Sequence, residues 1–126
     1  MYSYNSYHKI ITVAIFIGWA IFHFTQREND GLYYKNGQIK IEGSRVNAIN
    51  EGKWVWYYEN GVVQMSGNFK NGKREGTWNR FDKNGRLVAQ SNYRNNVLDG
   101  VFLTFNKNGD TLSVQYYEQD KLVSNK

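Results

Sequence analysis

Three acidic residues of this sequence recur at a fixed spacing and are the side chains best suited to acid–base chemistry. Glu51, Glu75 and Asp99 each precede a glycine and stand 24 positions apart. Two carboxylates can share acid–base work only when both reach the same substrate, whereas a long repeat period distributes them along the molecule. We therefore predict that these residues form hydrogen bonds at turns rather than a catalytic pair.

Other groups that could do chemistry are few. The chain contains no cysteine, which excludes thiolate metal sites, disulfides and a cysteine nucleophile. His8 and His23 both lie near the N terminus. Asp110, Glu118 and Asp120 offer oxygen ligands, but their spacing is not that of a calcium loop, and no phosphate-loop, nucleophile-elbow or zinc-protease motif occurs. We predict no catalytic residue, no metal site, no cofactor and no enzymatic activity.

Charge and composition narrow the class of protein further. The 126 residues carry a formal net charge of +5, and basic and acidic residues alternate, as in Lys73, Arg74 and Glu75. Nucleic-acid-binding surfaces usually cluster their positive charge, so we predict a solvated surface and no nucleic-acid partner. Aromatic residues make up 17% of the chain, far more than in disordered segments.

An internal repeat with a period of 24 residues runs through the chain after about residue 30. The dipeptide Asn-Gly occurs four times at this spacing, and its glycines are Gly37, Gly61, Gly85 and Gly109. An aromatic residue stands four positions before each of these glycines, namely Tyr33, Tyr57, Phe81 and Phe105. The acidic pairs add the glycines Gly52, Gly76 and Gly100. Agreement in several columns indicates one supersecondary unit repeated four times.

Each Asn-Gly pair predicts the turn of a β-hairpin, because glycine adopts positive φ without strain and asparagine tolerates it. A two-residue loop would pair Tyr58 with Val63. A three-residue loop with a glycine bulge would instead pair Tyr57 with Val63, which places an aromatic beside an aliphatic side chain and is therefore favoured. In the second strand of the second repeat, the two-residue period places Val63, Met65, Gly67 and Phe69 on one face. Longer turns are expected at residues 71–76 and 95–100.

These patterns predict an all-β fold for residues 31–126. It is an elongated, single-layer antiparallel meander of four β-hairpins, about eight strands in all, preceded by one hydrophobic helix within residues 1–30. The seven recurrent glycines are predicted to be structural turn residues. Trp78 and Phe81 are three positions apart, so a regular strand places them on opposite faces, and both faces carry aromatic rings.

The uncharged segment Ile10–Phe24 has three interpretations. It is about 15 residues long, shorter than the ~20 that comfortably span a bilayer. A cleaved signal peptide, an uncleaved signal anchor and a buried helix all remain open. The absence of a small-residue cleavage site favours the anchor, and hence a single-pass membrane protein with an exported repeat domain. The alternative is a secreted or periplasmic protein after signal cleavage.

The repeat strings resemble a known family. Residues 32–37 (LYYKNG), 56–61 (WYYENG) and 71–78 (NGKREGTW) are similar to the MORN repeat variant of bacterial proteins often described as YwqK-type antitoxins. This resemblance implies a β-hairpin repeat sheet without enzymatic activity. It also implies a role as an antitoxin or immunity partner of a toxin, or as a membrane-associated scaffold.

The candidate binding residues are aromatic, with one arginine. They are Trp54, Trp56, Trp78, Arg80, Phe81 and Phe102. Packing between strands is one interpretation, and a partner-facing patch is the other, because aromatic residues and arginine dominate interface hot spots. The first functional hypothesis is therefore a protein-interaction module, with a toxin as candidate partner. The alternatives are an accessory subunit of a membrane or envelope complex, anchored by residues 10–24, and a scaffold that binds acidic lipids.

Overall fold

The structure is a computed structural model that describes residues 11–21 and 32–126. The described residues fall into two units, which divide between Leu32 and Tyr33. The first contains one helix, α1, at residues 11–21. The second contains a single antiparallel β-sheet. The predicted fold class, an all-β hairpin meander preceded by a hydrophobic helix, is confirmed.

The predicted membrane anchor over residues 10–24 is wrong. Helix α1 has 11 residues, and at ~1.5 Å per residue it extends about half of the ~30 Å hydrocarbon layer. Within residues 11–21 and 32–126, no helix is long and apolar enough to cross a membrane. The localisation based on that anchor is corrected accordingly. His8, His23 and the two ends of the predicted segment lie outside the described residues.

The sheet has eight strands, and their order in space is their order in the chain. The strands are β1 (Ile41–Val46), β2 (Ile49–Tyr57), β3 (Val63–Lys70), β4 (Lys73–Phe81), β5 (Leu87–Arg94), β6 (Val97–Phe105), β7 (Thr111–Glu118) and β8 (Lys121–Asn125). The eight strands are not arranged as four complete hairpins. The first strand of the first unit is reduced to a bridge between Tyr33 and Ile39, whereas β8 is an additional strand at the other edge.

The four Asn-Gly turns have the favoured three-residue geometry. Tyr57 pairs with Val63, and Gly61 has a φ of 84° and donates its N–H to Tyr58 O at 2.9 Å. Asn60, in contrast, does not have a positive φ. Its Oδ1 accepts the N–H of Val62 at 3.1 Å, and its Nδ2 donates to the carbonyl of Lys83 in the next turn at 3.0 Å. The side chains of Asn36 and Asn60 thus link neighbouring turns, and neither residue has the positive φ that the sequence pattern predicted.

A β-bulge beside each of the last three of these turns changes which residues share a face. Trp56 pairs with Met65 but Tyr57 pairs with Val63, so Gln64 has no partner. An extra residue rotates the strand by one position. Met65 consequently lies with Trp56, while Val63 lies with Tyr57 on the opposite side. The prediction that Val63 and Met65 share a face is wrong for this reason.

The turns between hairpins are also shorter than predicted. Asn71 and Gly72 have φ values of 50° and 76°, which define a two-residue type I′ turn. Strand β4 begins directly afterwards, so Glu75 and Gly76 belong to a strand and not to a turn. Gly76 has a φ of 73° and lies where the register with β3 shifts. The acidic-glycine pairs thus mark bulges within strands, which the sequence pattern did not reveal.

Two of the recurrent acidic residues link neighbouring repeats. Glu51 Oε2 accepts the N–H of Asn71 at 2.8 Å, and Glu75 Oε2 accepts the N–H of Asn95 at 2.8 Å. The prediction of turn hydrogen bonds is confirmed for both. Asp99 differs, because its carboxylate lies 3.7 Å from the guanidinium of Arg94.

Candidate functional site

Tryptophans of one repeat lie on glycines of the preceding repeat. A Cβ on Gly43 would overlap the indole of Trp54, and a Cβ on Gly67 would overlap the indole of Trp78. Both tryptophans are buried, with 6% and 5% exposure respectively. These glycines therefore recur because they leave space for a large ring, since only hydrogen fits beneath it.

The indoles are part of a continuous aromatic cluster on one face of the sheet. Trp56 lies 5.5 Å from Trp78 between ring centroids, and Phe69 meets Trp78 edge-on at 5.2 Å. Trp54 lies 6.0 Å from Trp56, and Tyr93 lies 6.2 Å from Trp78. Distances and tilts of this kind are favourable for aromatic pairs. The cluster stabilises the middle of the sheet and gives this face a rigid aromatic surface.

A groove of about 340 Å³ opens on this face. Ser91 is the cross-strand partner of both Trp78 and Phe102, and Ala89 is buried beside it. Because Ala89 and Ser91 are small, the surface dips between the larger rings. We call this feature the aromatic groove, with Ala89 and Ser91 as its floor and Trp56, Trp78, Phe102 and Tyr93 among its walls.

Two arginines line the aromatic groove. The guanidinium of Arg74 stacks over the ring of Tyr93 at 4.0 Å, and its Nε donates to Asn96 Oδ1 at 2.9 Å. Arg80 is exposed and is the cross-strand partner of Ala89. In the part of the chain that the structure describes, the Arg80 side chain forms neither an ion pair nor a hydrogen bond. The groove is thus apolar with a positive border.

The structure brings four of the six candidate residues together. Trp56, Trp78, Arg80 and Phe102 all line the aromatic groove. Trp54 belongs to the same cluster but is buried. Phe81 lies elsewhere, in a depression of about 430 Å³ that also contains Val55, Tyr57 and Val63. Trp78 and Phe81 are therefore on opposite faces, as their spacing predicts, and Phe81 is not part of the groove.

Sequence reasoning missed the residues that shape the groove. They are Met65, Phe69, Arg74, Ala89, Ser91 and Tyr93. The column of Gly43, Gly67 and Ser91 carried a usable signal, because residues without bulk recur there beside an aromatic column. The small size of Ala89 carried none, since its importance depends on the neighbours across the sheet.

Among the described residues, Tyr57 and Asp82 have shifted pKa values, and neither lies in the groove. The backbone N–H of Arg86, that of Asn84 and the guanidinium of Arg86 stabilise the carboxylate of Asp82 and lower its pKa. The hydroxyl of Tyr57 donates to Glu42 Oε2 at 2.8 Å, and this bond to an anion raises the pKa of Tyr57. Both pairs therefore serve turns and strand packing.

The recurrent glycines and the last acidic residues have structural positions. All seven glycines have positive φ, four in the Asn-Gly turns and Gly52, Gly76 and Gly100 within strands. Asp110 Oδ2 accepts a bond from Asn106 Nδ2 at 3.0 Å, and Asp120 Oδ1 accepts the N–H of Leu98 at 2.8 Å. Asp110 therefore bonds within its own turn, and Asp120 bonds to strand β6.

Comparison with known protein families agrees with this geometry. A family model described as "MORN repeat variant" matches residues 32–47, 50–71 and 74–95. The comparison with curated proteins gave no match. The matched segments begin at Leu32 and cover β1 to β5, and residues 97–118 continue the same register, since Phe105 pairs with Thr111 as Tyr57 pairs with Val63. Three consecutive matches on this repeating sheet identify residues 32–95 as a run of MORN repeats.

Proposed function

We propose that this chain is a non-catalytic module that binds a protein partner through its aromatic groove. MORN repeats are in general non-catalytic modules for interaction with proteins or membranes. The observation that carries the proposal is the groove itself, with half-buried Trp56 and Phe102 around a floor of small residues. Partly exposed aromatic rings around a concave apolar surface are typical of contact sites.

The opposite face supports the choice of this side. A depression on that face contains Phe81 and Tyr57, and the hydroxyl of Tyr57 is already bonded to Glu42. The aromatic groove combines more aromatic rings with two guanidinium groups. Tryptophan, tyrosine and arginine are the residue types that contribute most to interface affinity.

A toxin is the partner that the resemblance suggests. The repeat strings are similar to those of bacterial antitoxins, and an antitoxin must cover a surface of its target without performing chemistry of its own. A rigid sheet with a preformed groove suits this task, because little conformational entropy is lost on binding. In this proposal the protein neutralises a toxin by binding it through the face that carries the aromatic groove.

The experiment that tests the proposal fills the groove without disturbing the repeat. Ala89 aligns with Met65 one repeat earlier, so Ala89→Met introduces a side chain that the sheet already accommodates. Ser113 aligns with them one repeat later and lies outside the groove lining, so Ser113→Met adds equal bulk elsewhere on the same face. The full-length chain and both variants are used to capture partners from the native cells.

The expected result is a protein that the wild type and Ser113→Met retain and that Ala89→Met loses. Melting temperatures of the three chains control for folding, because Ser113→Met also removes the 2.7 Å contact between Thr104 Oγ1 and Ser113 Oγ. Capture that survives Ala89→Met would contradict the proposed site. Relief of growth arrest on co-expression would then identify the captured protein as a toxin, whereas capture of a protein with no toxic effect would contradict the antitoxin role.

A further inference from the structure

We infer, resting on the proposed function, that the aromatic groove recognises a linear segment of its partner in which an apolar side chain stands beside a carboxylate. The apolar side chain occupies the space above Ala89 and Ser91, and the carboxylate pairs with Arg80. This assigns the partner a chemistry, an acidic and apolar peptide, that differs from a basic peptide or a lipid surface.

The size of the groove supports the insertion of an apolar side chain. Its volume of about 340 Å³ lies at the lower end of ligand sites, which occupy roughly 300–1,000 Å³. Ser91 lies directly between Trp78 and Phe102, so the space is bordered by rings on two sides. A leucine or an aromatic side chain inserted there would exchange water for ring contacts on both sides.

Charge complementarity supports a carboxylate beside that apolar side chain. Arg74 and Arg80 line the groove, and none of the described residues that line it is an aspartate or a glutamate. The guanidinium of Arg74 is already stacked on Tyr93 and bonded to Asn96, whereas Arg80 makes neither kind of contact within the described residues. A guanidinium matches the geometry of a carboxylate and can donate two parallel hydrogen bonds to it.

The repeat pattern shows that this combination occurs at one place in the sheet. The column of Arg80 reads Leu32, Trp56, Arg80, Thr104, and the column of Ala89 reads Ile41, Met65, Ala89, Ser113. An arginine therefore lies opposite a small floor residue in the third repeat alone, where Arg80 and Ala89 are cross-strand partners. The repeat tolerates other residues at both positions, so their identity is free to serve recognition.

A single available guanidinium also argues for a peptide rather than a membrane. Acidic lipid surfaces attract proteins through several basic side chains, each contributing to the affinity. The groove offers Arg80 at its border, and its floor lies below the surrounding rings, where a flat bilayer surface does not reach. A protruding side chain from an extended peptide does reach it.

The test is a peptide-display selection on the immobilised full-length chain, with random nine-residue peptides as probe. The expected consensus contains one aliphatic or aromatic residue with aspartate or glutamate next to it. Selection on Arg80→Glu should reverse the preference to lysine or arginine at the flanking position. A synthetic consensus peptide should bind Arg80→Gln about tenfold more weakly than wild type, because a charge-assisted bond is lost.

The controls separate this inference from the proposed function. Ala89→Met should abolish binding of the consensus peptide and Ser113→Met should retain it, with unchanged strand signal in circular dichroism. A consensus that depends on Ala89 but has uncharged or basic flanks, or that is unchanged on Arg80→Glu, would overturn the inference alone. No enriched consensus, or binding insensitive to Ala89→Met, would overturn both. Sedimentation with phosphatidylserine vesicles that Ala89→Met abolishes would also overturn the inference, in favour of a lipid ligand.

Discussion

The strand pairs β3·β4 and β5·β6 have the same backbone register but different side-chain packing. Phe69 pairs with Arg74 in the first pair, and Tyr93 pairs with Leu98 at the equivalent place in the second. In β3·β4, Trp78 covers Gly67 and is buried. In β5·β6, the half-buried Phe102 faces Ser91.

The difference shows how a repeat protein makes a binding site without changing its backbone. Large rings on glycines close the surface between β3 and β4. Beside them, the small residues Ala89 and Ser91 of β5 leave the aromatic groove, which has rings of β2 to β4 and Phe102 of β6 among its walls. The two pairs keep the same strand register on either side of their bulges, so the substitution of a few side chains changes the shape of the face at little structural cost.

Removal of Trp78 is the strongest way to weaken the first pair. Trp78→Ala should lower the free energy of unfolding by about 3–5 kcal/mol, because a buried ring and its contacts with Trp56 and Phe69 are lost. Phe102→Ala should cost clearly less, since Phe102 is only half-buried and, within residues 11–21 and 32–126, contacts one ring, that of Tyr117. Urea unfolding measures both values. Equal losses would show that the two pairs pack alike.

A methyl group added at Gly67 tests whether the indole of Trp78 needs the space above this glycine. Gly67→Ala should destabilise the protein by about 1–3 kcal/mol through overlap with Trp78. Ser91→Ala, at the equivalent position, should change stability by less than about 0.5 kcal/mol. Thermal unfolding provides the comparison. If the indole is the obstacle, Gly67→Ala should cost less in a Trp78→Phe background, and an undiminished cost would point to a backbone cause.

The Asn-Gly turns that precede the two pairs, one between β2 and β3 and one between β4 and β5, differ in a hydrogen bond between repeats. The hydroxyl of Tyr58 donates to Phe81 O at 2.8 Å, whereas Asp82, one repeat later, bonds within its own turn. Tyr58→Phe should therefore cost about 1 kcal/mol. Tyr116→Phe is the control, because the Tyr116 hydroxyl forms no hydrogen bond among the described residues. Chemical denaturation that gives the same stability for both variants would argue against the link between turns.

The smallest effect is expected at Asp82, and it depends on pH. Bonds from the backbone N–H of Arg86 and then of Asn84 lower the pKa of Asp82 below its ordinary value of 3.8. The ionised carboxylate is thus favoured in the folded state, so its contribution is present above pH ~3.8 and is lost as pH falls through the lower folded value. Asn106 caps the next turn in the same way.

Asp82→Asn should therefore keep the turn and remove this part of the acid dependence. Melting temperatures recorded between pH 2 and pH 7 should fall less steeply for the variant than for the wild type at the acidic end. Identical slopes would show that the protons taken up on acid unfolding belong to other carboxylates.

Features that depend on residues close together in the chain were predictable from the sequence, whereas features that depend on contacts between strands were not. The Asn-Gly loops were predictable because Tyr57, Asn60 and Gly61 are close in the chain. The bulge at Gln64 was not, because it depends on how β2 and β3 align across the sheet. The predicted anchor failed because hydrophobicity over residues 10–24 does not set the length of the helix, which covers residues 11–21.

The sequence by itself determined the repeat period, the hairpin turns, the antiparallel order of the strands and the opposite orientation of Trp78 and Phe81. These features follow from local φ preferences and from the two-residue period of a strand. Only the tertiary structure decided that the indole of Trp78 packs on Gly67 and that Val63 and Met65 lie on opposite faces. It also decided that Ala89 and Arg80 line the same groove. Such features depend on side chains from strands far apart in the chain, and strand register determines which of them meet.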